Sequence, residues 1–442
     1  MGRMESRLGP LTTLEPRAVA DRLEGVRERT LSLIAGLDWE TLRRQHMPIL
    51  SPMVWDLGHI GHFEELWLVQ RLGNLEPIEQ NFAPLFDATL NPRPTRESLP
   101  LPTGRGLFEY LGRVRQRTLG VMGSPEAQGE PALVADGFVY EMVAEHEEQH
   151  QETILQLLQA LTDPPYVPAQ RRQLPPGASI APEMIEIPGG PSLMGWSGRG
   201  FSHDNEKEQH EVAVPTFLID RAPVTCGEYL TFVEQGGYAQ REHWSDEGWQ
   251  WKLETGTEAP GNWAKRGGQW EVRFMDEMVS LPRKKPVIHV CFYEAEAFAR
   301  YAGKRLPTEA EWEKAALWDE ATGLQRTYPW GEEPPSPERA NLDQLALEPA
   351  EVGAYPMGVS SYGLHQMTGD VWEWTSSSFV AYPGFEAFPY REYSEIFFGS
   401  EYRVLRGGSW ATRQAVARGT IRNWDYPIRR QIFAGFRCAS DA

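Results

Sequence analysis

The stretch FVYEMVAEHEEQHQETILQLL, residues 138–158, decides how the first part of this chain folds. Its apolar residues recur at helical spacing, so that Phe138, Met142, Ile154, Leu157 and Leu158 share one face. His146 and His150 fall on that face too, one turn apart, because residues four apart are stacked neighbours on a helix. Two imidazoles thus interrupt an apolar stripe that points into a core. A buried polar group left without a partner costs roughly 1–3 kcal/mol, and one shared metal ion would satisfy both rings. The competing reading of a bare pair at this spacing is two satisfied or solvent-facing histidines. A third nitrogen is needed to separate the two.

Working outward, three more helices are predicted, over about 16–37, 51–72 and 106–122, with the quoted stretch inside a fourth over 131–161. Pro16 suits the first turn of a helix, and Ser51-Pro52 reads as a cap followed by proline at the first helical position. Four amphipathic helices with polar exteriors predict a bundle, whose core is an established place for metal sites. The second helix shows apolar Val54, Leu57, Phe63 and Leu66, and it offers His59 and His62, either of which can reach a shared site. Three neutral imidazoles with open positions suit iron(II), zinc, nickel or copper, so ligand type alone does not choose the metal.

Near residue 165 the character of the chain changes. Asp163 to Gly177 is proline-rich and cannot continue a helix. The expected organisation is a bundle over 1–165, a linker over 166–180 and a second domain over 181–442. That second domain is rich in Gly, Trp and turn signals, with helices expected at 290–302 and 309–317. Its fold class is α+β with long loops. The charge of −19 repels nucleic acid, and basic runs such as Arg283 to Lys285 are too short to reverse that. No run of 18 apolar residues exists to span a membrane, and the first residues lack the apolar segment of a secretory leader, so a cytoplasmic location is expected. Three widely spaced cysteines make neither a thiolate zinc site nor more than a single disulfide. Small-molecule chemistry is what remains.

Several segments carry a resemblance. RLPTEAEWE (305–313), YPWG (328–331), GDVWEWT (369–375), RVLRGGSW (403–410) and GFRC (435–438) resemble, in order, the core of the formylglycine-generating enzyme family. That implies a C-type-lectin-like fold. Oxidase members hold copper with a cysteine pair just after the Gly-Gly-Ser segment, but residues 410–417 here read WATRQAVA, so the fold is implied without that chemistry. In the first part, WDLGHIG (55–61) and HEEQH (146–150) resemble a DinB-like four-helix bundle. Together the motifs resemble, over nearly the whole chain, the sulfoxide synthases of the ergothioneine pathway (the EgtB family).

This resemblance implies an enzyme that uses iron(II) and dioxygen to join a thiol to C2 of the imidazole of hercynine, the trimethylated betaine of histidine, and to oxidise the sulfur. It implies that His59, His146 and His150 hold the iron, and that His62, where the family usually has glutamine, lies outside the ligand set. Gln149 is implied beside the iron and the imidazole. Tyr390, in FPYREYS (388–394), is implied as the catalytic phenol that steers towards C–S bond formation and away from simple thiol oxidation, with Tyr393 and Tyr382 close in register. Asn423 and Trp424 would meet hercynine, an aromatic face being apt for a quaternary ammonium, and Asp425 would pair with the thiol substrate. Arg93 and Arg96 are implied to grip the carboxylates of γ-glutamylcysteine; read on their residues alone, both are surface arginines. Rival readings are cysteine, a selenosugar or another imidazole carbon in the same chemistry, a DinB-like metal-dependent thiol transferase, and a non-catalytic lectin-like module.

Overall fold

The structure, a computed structural model, describes residues 15–122 and 131–442. Residues 1–14, which carry most of the expectation about a leader, lie outside the described residues. The chain divides into two compact units, Met1–Tyr166 and Val167–Ala442.

The first unit is helical: α1 (Pro16–Ile34), α2 (Met53–Glu64), α3 (Gly104–Met122) and α4 (Phe138–Ala160). Two boundaries and one helix geometry differ from expectation for visible reasons. The 131–161 helix is broken, because Asp136 (φ 49°) and Gly137 (φ 75°) take left-handed backbone that a right-handed helix cannot carry. Ser51 is not a cap: Pro52 holds that position, and the Ser51 hydroxyl instead accepts from Arg96 Nη1 at 2.6 Å. Beyond Glu64 the second helix runs on with wider π-type turns, Glu65–Leu72.

The expectation of polar exteriors is corrected more deeply. α4 is buried on both faces, and its carboxylates meet arginines of α1 inside the unit. Arg22 donates to Glu141 and Glu148, each at 2.7 Å, and Arg27 Nε donates to Glu147 at 2.8 Å. Arg27 also reaches Glu64 of α2 at 3.0 Å, as Arg115 of α3 does at 2.8 Å. Such pairs fix which helix faces which, since a one-turn slip would strand several buried charges at once.

The second unit is built on short strands. Arg403–Arg406 pairs antiparallel with both Trp372–Ser378 and Asn423–Asp425, and Ala434–Gly435 adds parallel to the far side of Trp372–Ser378. A second sheet places Phe217–Asp220 between Met184–Ile187 and Ala439–Asp441. The main core gathers Tyr229, Phe232, Trp244, Phe298, Trp374 and Phe436. Helices Phe292–Tyr301 and Glu309–Leu317 appear as expected, but Cys226–Glu234 and Asp246–Thr255 were not foreseen. The first of these carried a readable start signal, since Thr225 and Glu228 form a capping box. The three cysteines are buried free thiols, so the single disulfide their number allowed is not formed. Among the described residues no helix is long and apolar enough to cross a membrane.

Candidate metal centre

α2 and α4 together bring three histidines to one point. Ring nitrogens of His59, His146 and His150 lie within 4.8 Å of one another, the only such group of three metal-ligating side chains among the described residues. The ring centroids are 4.7–5.0 Å apart. His62, the other histidine of α2, is not in the group; it is buried, and its Nδ1 has no hydrogen-bond partner.

Each ring is oriented by its own neighbour. His59 Nδ1 lies 2.7 Å from the Phe86 carbonyl, which accepts its proton and leaves Nε2 as the nitrogen with a lone pair. Gly58 makes this approach possible, because a Cβ there would sit 2.1 Å from the Phe86 ring. His59 also stacks on Trp55 at 4.8 Å, and the Arg96 guanidinium covers Trp55 at 3.4 Å from the ring centroid. His146 stacks on Phe63 at 3.7 Å. His150 Nδ1 lies 3.3 Å from Asp56 Oδ1, a carboxylate that is itself buried. Burial, and then the neighbouring His150, hold the pKa of His59 well below the usual imidazole value, so it is neutral and able to ligate. Nitrogen-only donors, one tautomer fixed by a carbonyl and a carboxylate behind another ring form a set that fits a first-row divalent metal.

Among the other residues singled out in the sequence, Gln149 is half-buried on α4, next to His150. Arg93 is half-buried, whereas Arg96 is buried, not the surface residue its own reading suggested. Burial, opposed by Asp56, brings Arg96 down to about 10, and it remains charged. In the second unit, Trp424 stacks on Phe379 at 4.1 Å, and the Tyr393 ring meets it edge-on at 5.8 Å. Asp425 accepts from Arg429 at 3.1 Å, and the Asn423 side chain accepts from the Trp424 amide at 2.8 Å. Tyr390 is half-buried; burial, then the charge of Asp204, hold its phenol protonated well above the usual range. Reading the sequence missed Asp56, Trp55 and Phe86 as supports of the histidines. The first two had a signal, since they sit three and four residues before His59 on a helix. Phe86 had none, because its part is played by a backbone carbonyl.

Residues 22–154 match the DinB superfamily, and residues 170–442 match the sulfatase-modifying factor enzyme 1-like domain. Together with the histidine cluster, these matches define a class: a DinB bundle with a candidate metal centre, joined to a formylglycine-generating-enzyme-like unit. The chain is 46% identical over 437 residues to a hercynine oxygenase of Mycolicibacterium thermoresistibile, covering 96% of this chain and 94% of that protein. It is 45% identical over 433 residues to a hercynine oxygenase of Mycobacterium tuberculosis, covering 96% and 99%. A formylglycine-generating enzyme of Thermomonospora curvata is 33% identical over 59% of this chain and 94% of its own length. The chain belongs to the hercynine oxygenase family, and it is an oxygenase, an enzyme whose chemistry depends on dioxygen. The resemblance read from the motifs and the two-part α+β fold class both hold.

Proposed function

We propose that this oxygenase is an iron(II)-dependent sulfoxide synthase of ergothioneine biosynthesis. It joins the sulfur of γ-glutamylcysteine to C2 of hercynine and gives hercynyl-γ-glutamylcysteine sulfoxide. The observation that carries the reading is the cluster of His59, His146 and His150, with His59 held in one tautomer by the Phe86 carbonyl. Iron bound there would supply the means of engaging dioxygen. The reaction balances without an outside reductant: hercynine loses the C2 hydrogen, the thiol loses its proton, and four electrons pass to dioxygen. One oxygen atom ends on sulfur and the other leaves as water.

The chain's own residues bind, orient and hold protons. Trp424 offers an aromatic face to the trimethylammonium group, and Asn423 beside it fixes the rest of hercynine. Asp425 pairs with the ammonium of the thiol substrate. Arg93 and Arg96 grip its carboxylates; Arg96 has Nε on the Asn91 carbonyl at 2.9 Å and Nη1 on Ser51, which leaves Nη2 for a substrate oxygen. Gln149 lies next to the ligand His150 in the chain and positions the imidazole. Tyr390, kept protonated at neutral pH, is the proton donor.

The test is an assay of anaerobic, iron(II)-loaded enzyme with hercynine and γ-glutamylcysteine, started by admitting oxygen. Mass spectrometry should show the mixed sulfoxide. Faster turnover with free cysteine would replace the donor, and turnover without oxygen would replace the reaction by a thiol transfer.

A further inference from the structure

The turn at Asp204–Glu206 in the second unit has no part in the function proposed above, yet it touches both segments that function uses. Asp204, Asn205 and Glu206 form a short 3-10 turn, and all three side chains are buried. One side of this turn holds the Tyr390 segment at both ends. Asp204 Oδ2 accepts from the Phe388 amide at 3.3 Å, and Asp204 Oδ1 accepts from the Ser394 hydroxyl. Asn205 Nδ2 adds a bond to the same hydroxyl at 3.1 Å, and the His203 ring stacks on Tyr393 at 4.2 Å.

The other side holds the segment that runs into Asn423. Glu206 takes the Arg418 guanidinium, with Nε at 2.9 Å, and the Thr420 hydroxyl at 2.7 Å. The Asn205 carbonyl accepts from Arg422 Nη1 at 2.8 Å. Arg422 also donates to Glu309, Nε at 2.7 Å and Nη2 at 3.0 Å. Burial alone would push the Glu206 carboxyl up, but Arg418 outweighs it and brings it down to about 2, so the anchor is charged across the physiological range.

We infer that Asp204 is a positioning residue: it clamps the 388–394 segment at Phe388 and Ser394, and so fixes where the Tyr390 phenol stands relative to the Asn423–Asp425 strand. This rests on the proposed role of Tyr390. The arrangement supports it in two ways. A carboxyl group accepting from both ends of a seven-residue segment restricts that segment, and although burial raises the pKa of Asp204, the bonds from Ser394 and Phe388 favour its ionised form. The turn cannot drift with the loop, because Glu206 and Asn205 tie it to Arg418, Thr420 and Arg422. The charge of Asp204, after burial, also helps to keep the Tyr390 phenol protonated.

The experiment compares full-length iron-loaded wild type, Asp204→Ala, Asp204→Asn, Tyr390→Phe and the Asp204→Ala/Tyr390→Phe double variant. Hydrogen–deuterium exchange reads the clamp, and the ratio of C–S coupled product to simply oxidised thiol reads its consequence. Asp204→Ala should speed exchange across 388–394 about tenfold and leave α4 of the first unit unchanged. It should shift the product ratio in the same direction as Tyr390→Phe, and add nothing in the Tyr390→Phe background. Asp204→Asn, which keeps an acceptor oxygen, should recover part of both effects. Unchanged exchange in Asp204→Ala would overturn the clamp. Faster exchange with a wild-type product ratio would overturn the positioning role. A further shift in the double variant would do the same, since loss of general stability adds where a positioning effect does not. If Tyr390→Phe alone left the ratio unmoved, the role of Tyr390 would fall and the positioning claim with it, while exchange would still decide whether the clamp exists.

Discussion

The two units hold their candidate functional side chains by opposite means. In the first, the three histidines ride on regular helices, and His146 and His150 owe their common direction to a four-residue spacing that any helix provides. In the second, Tyr390 sits on a segment with little regular structure, and the Asn423–Asp425 strand follows an irregular stretch that carries Arg418, Thr420 and Arg422. Their positions come from pairs such as Ser394 with Asp204 and Arg418 with Glu206, 190 and 212 residues apart. Both units use the same buried Arg–carboxylate chemistry. In the bundle it selects which helix face meets which; in the second unit it sets the course of loops. The difference teaches that helix spacing can set the common direction of two candidate ligands, whereas side chains on irregular chain depend on contacts distant in sequence.

The sharpest way to break this contrast is to remove a ligand. His146→Ala should bring oxygenation to background and lower metal affinity by well over the roughly 100-fold that loss of an outer partner costs. His62→Ala should keep its metal, because His62 stands outside the cluster. Metal analysis after anaerobic loading checks both, and a metal-retaining His146→Ala would undo the assignment.

A second test asks whether the buried pairs of the two units carry comparable weight. Arg22→Ala takes the guanidinium away from Glu141 and Glu148 in the bundle, and Arg406→Ala takes it from Glu313 in the other unit, where Glu309 keeps Arg422. Each should cost about 3–5 kcal/mol, because a buried carboxylate loses an arginine that balanced it. Chemical denaturation followed by helical circular dichroism and by tryptophan fluorescence would show which unit each variant weakens. A cost near the ~0.3–0.5 kcal/mol of an exposed helix pair such as Arg105–Glu109 would show that these networks only specify geometry.

The same contrast explains what could be read from the sequence. The histidine pair was legible because its period is that of the helix, and the helices themselves were found to within a few residues except at the start of the fourth, which the break at Asp136 and Gly137 moves to Phe138. Choosing between His59 and His62 was not possible from spacing, since both lie on a buried face of α2 and only the Phe86 carbonyl, 27 residues away in the chain, singles out His59. The polar exterior assigned to the bundle was wrong for α4 because Glu141, Glu147 and Glu148 look solvated until Arg22 and Arg27 are brought against them. In the second unit, motif order identified the fold, but no periodicity could have shown that Asp204 faces the Tyr390 segment.

The smallest of these effects tests the one long-range-looking detail of the locally encoded centre. Asp56 precedes His59 by one helical turn on α2, yet it serves His150 of α4, with Oδ1 at 3.3 Å from Nδ1. Nδ1 makes no hydrogen bond to it, but a carboxylate at this distance favours a proton on Nδ1 by charge and leaves the lone pair on Nε2. Asp56→Asn keeps the size but removes the charge, and its amide can present N–H to the ring and favour the wrong tautomer. Metal affinity should fall by about 10–100-fold, well short of the loss of His146, with the helical circular dichroism unchanged. Titration of the metal-free variant with iron(II) under strict anaerobiosis measures this. An affinity equal to wild type would mean that helix spacing alone orients His150, and the centre would then be even more locally encoded than the contacts of its side chains suggest.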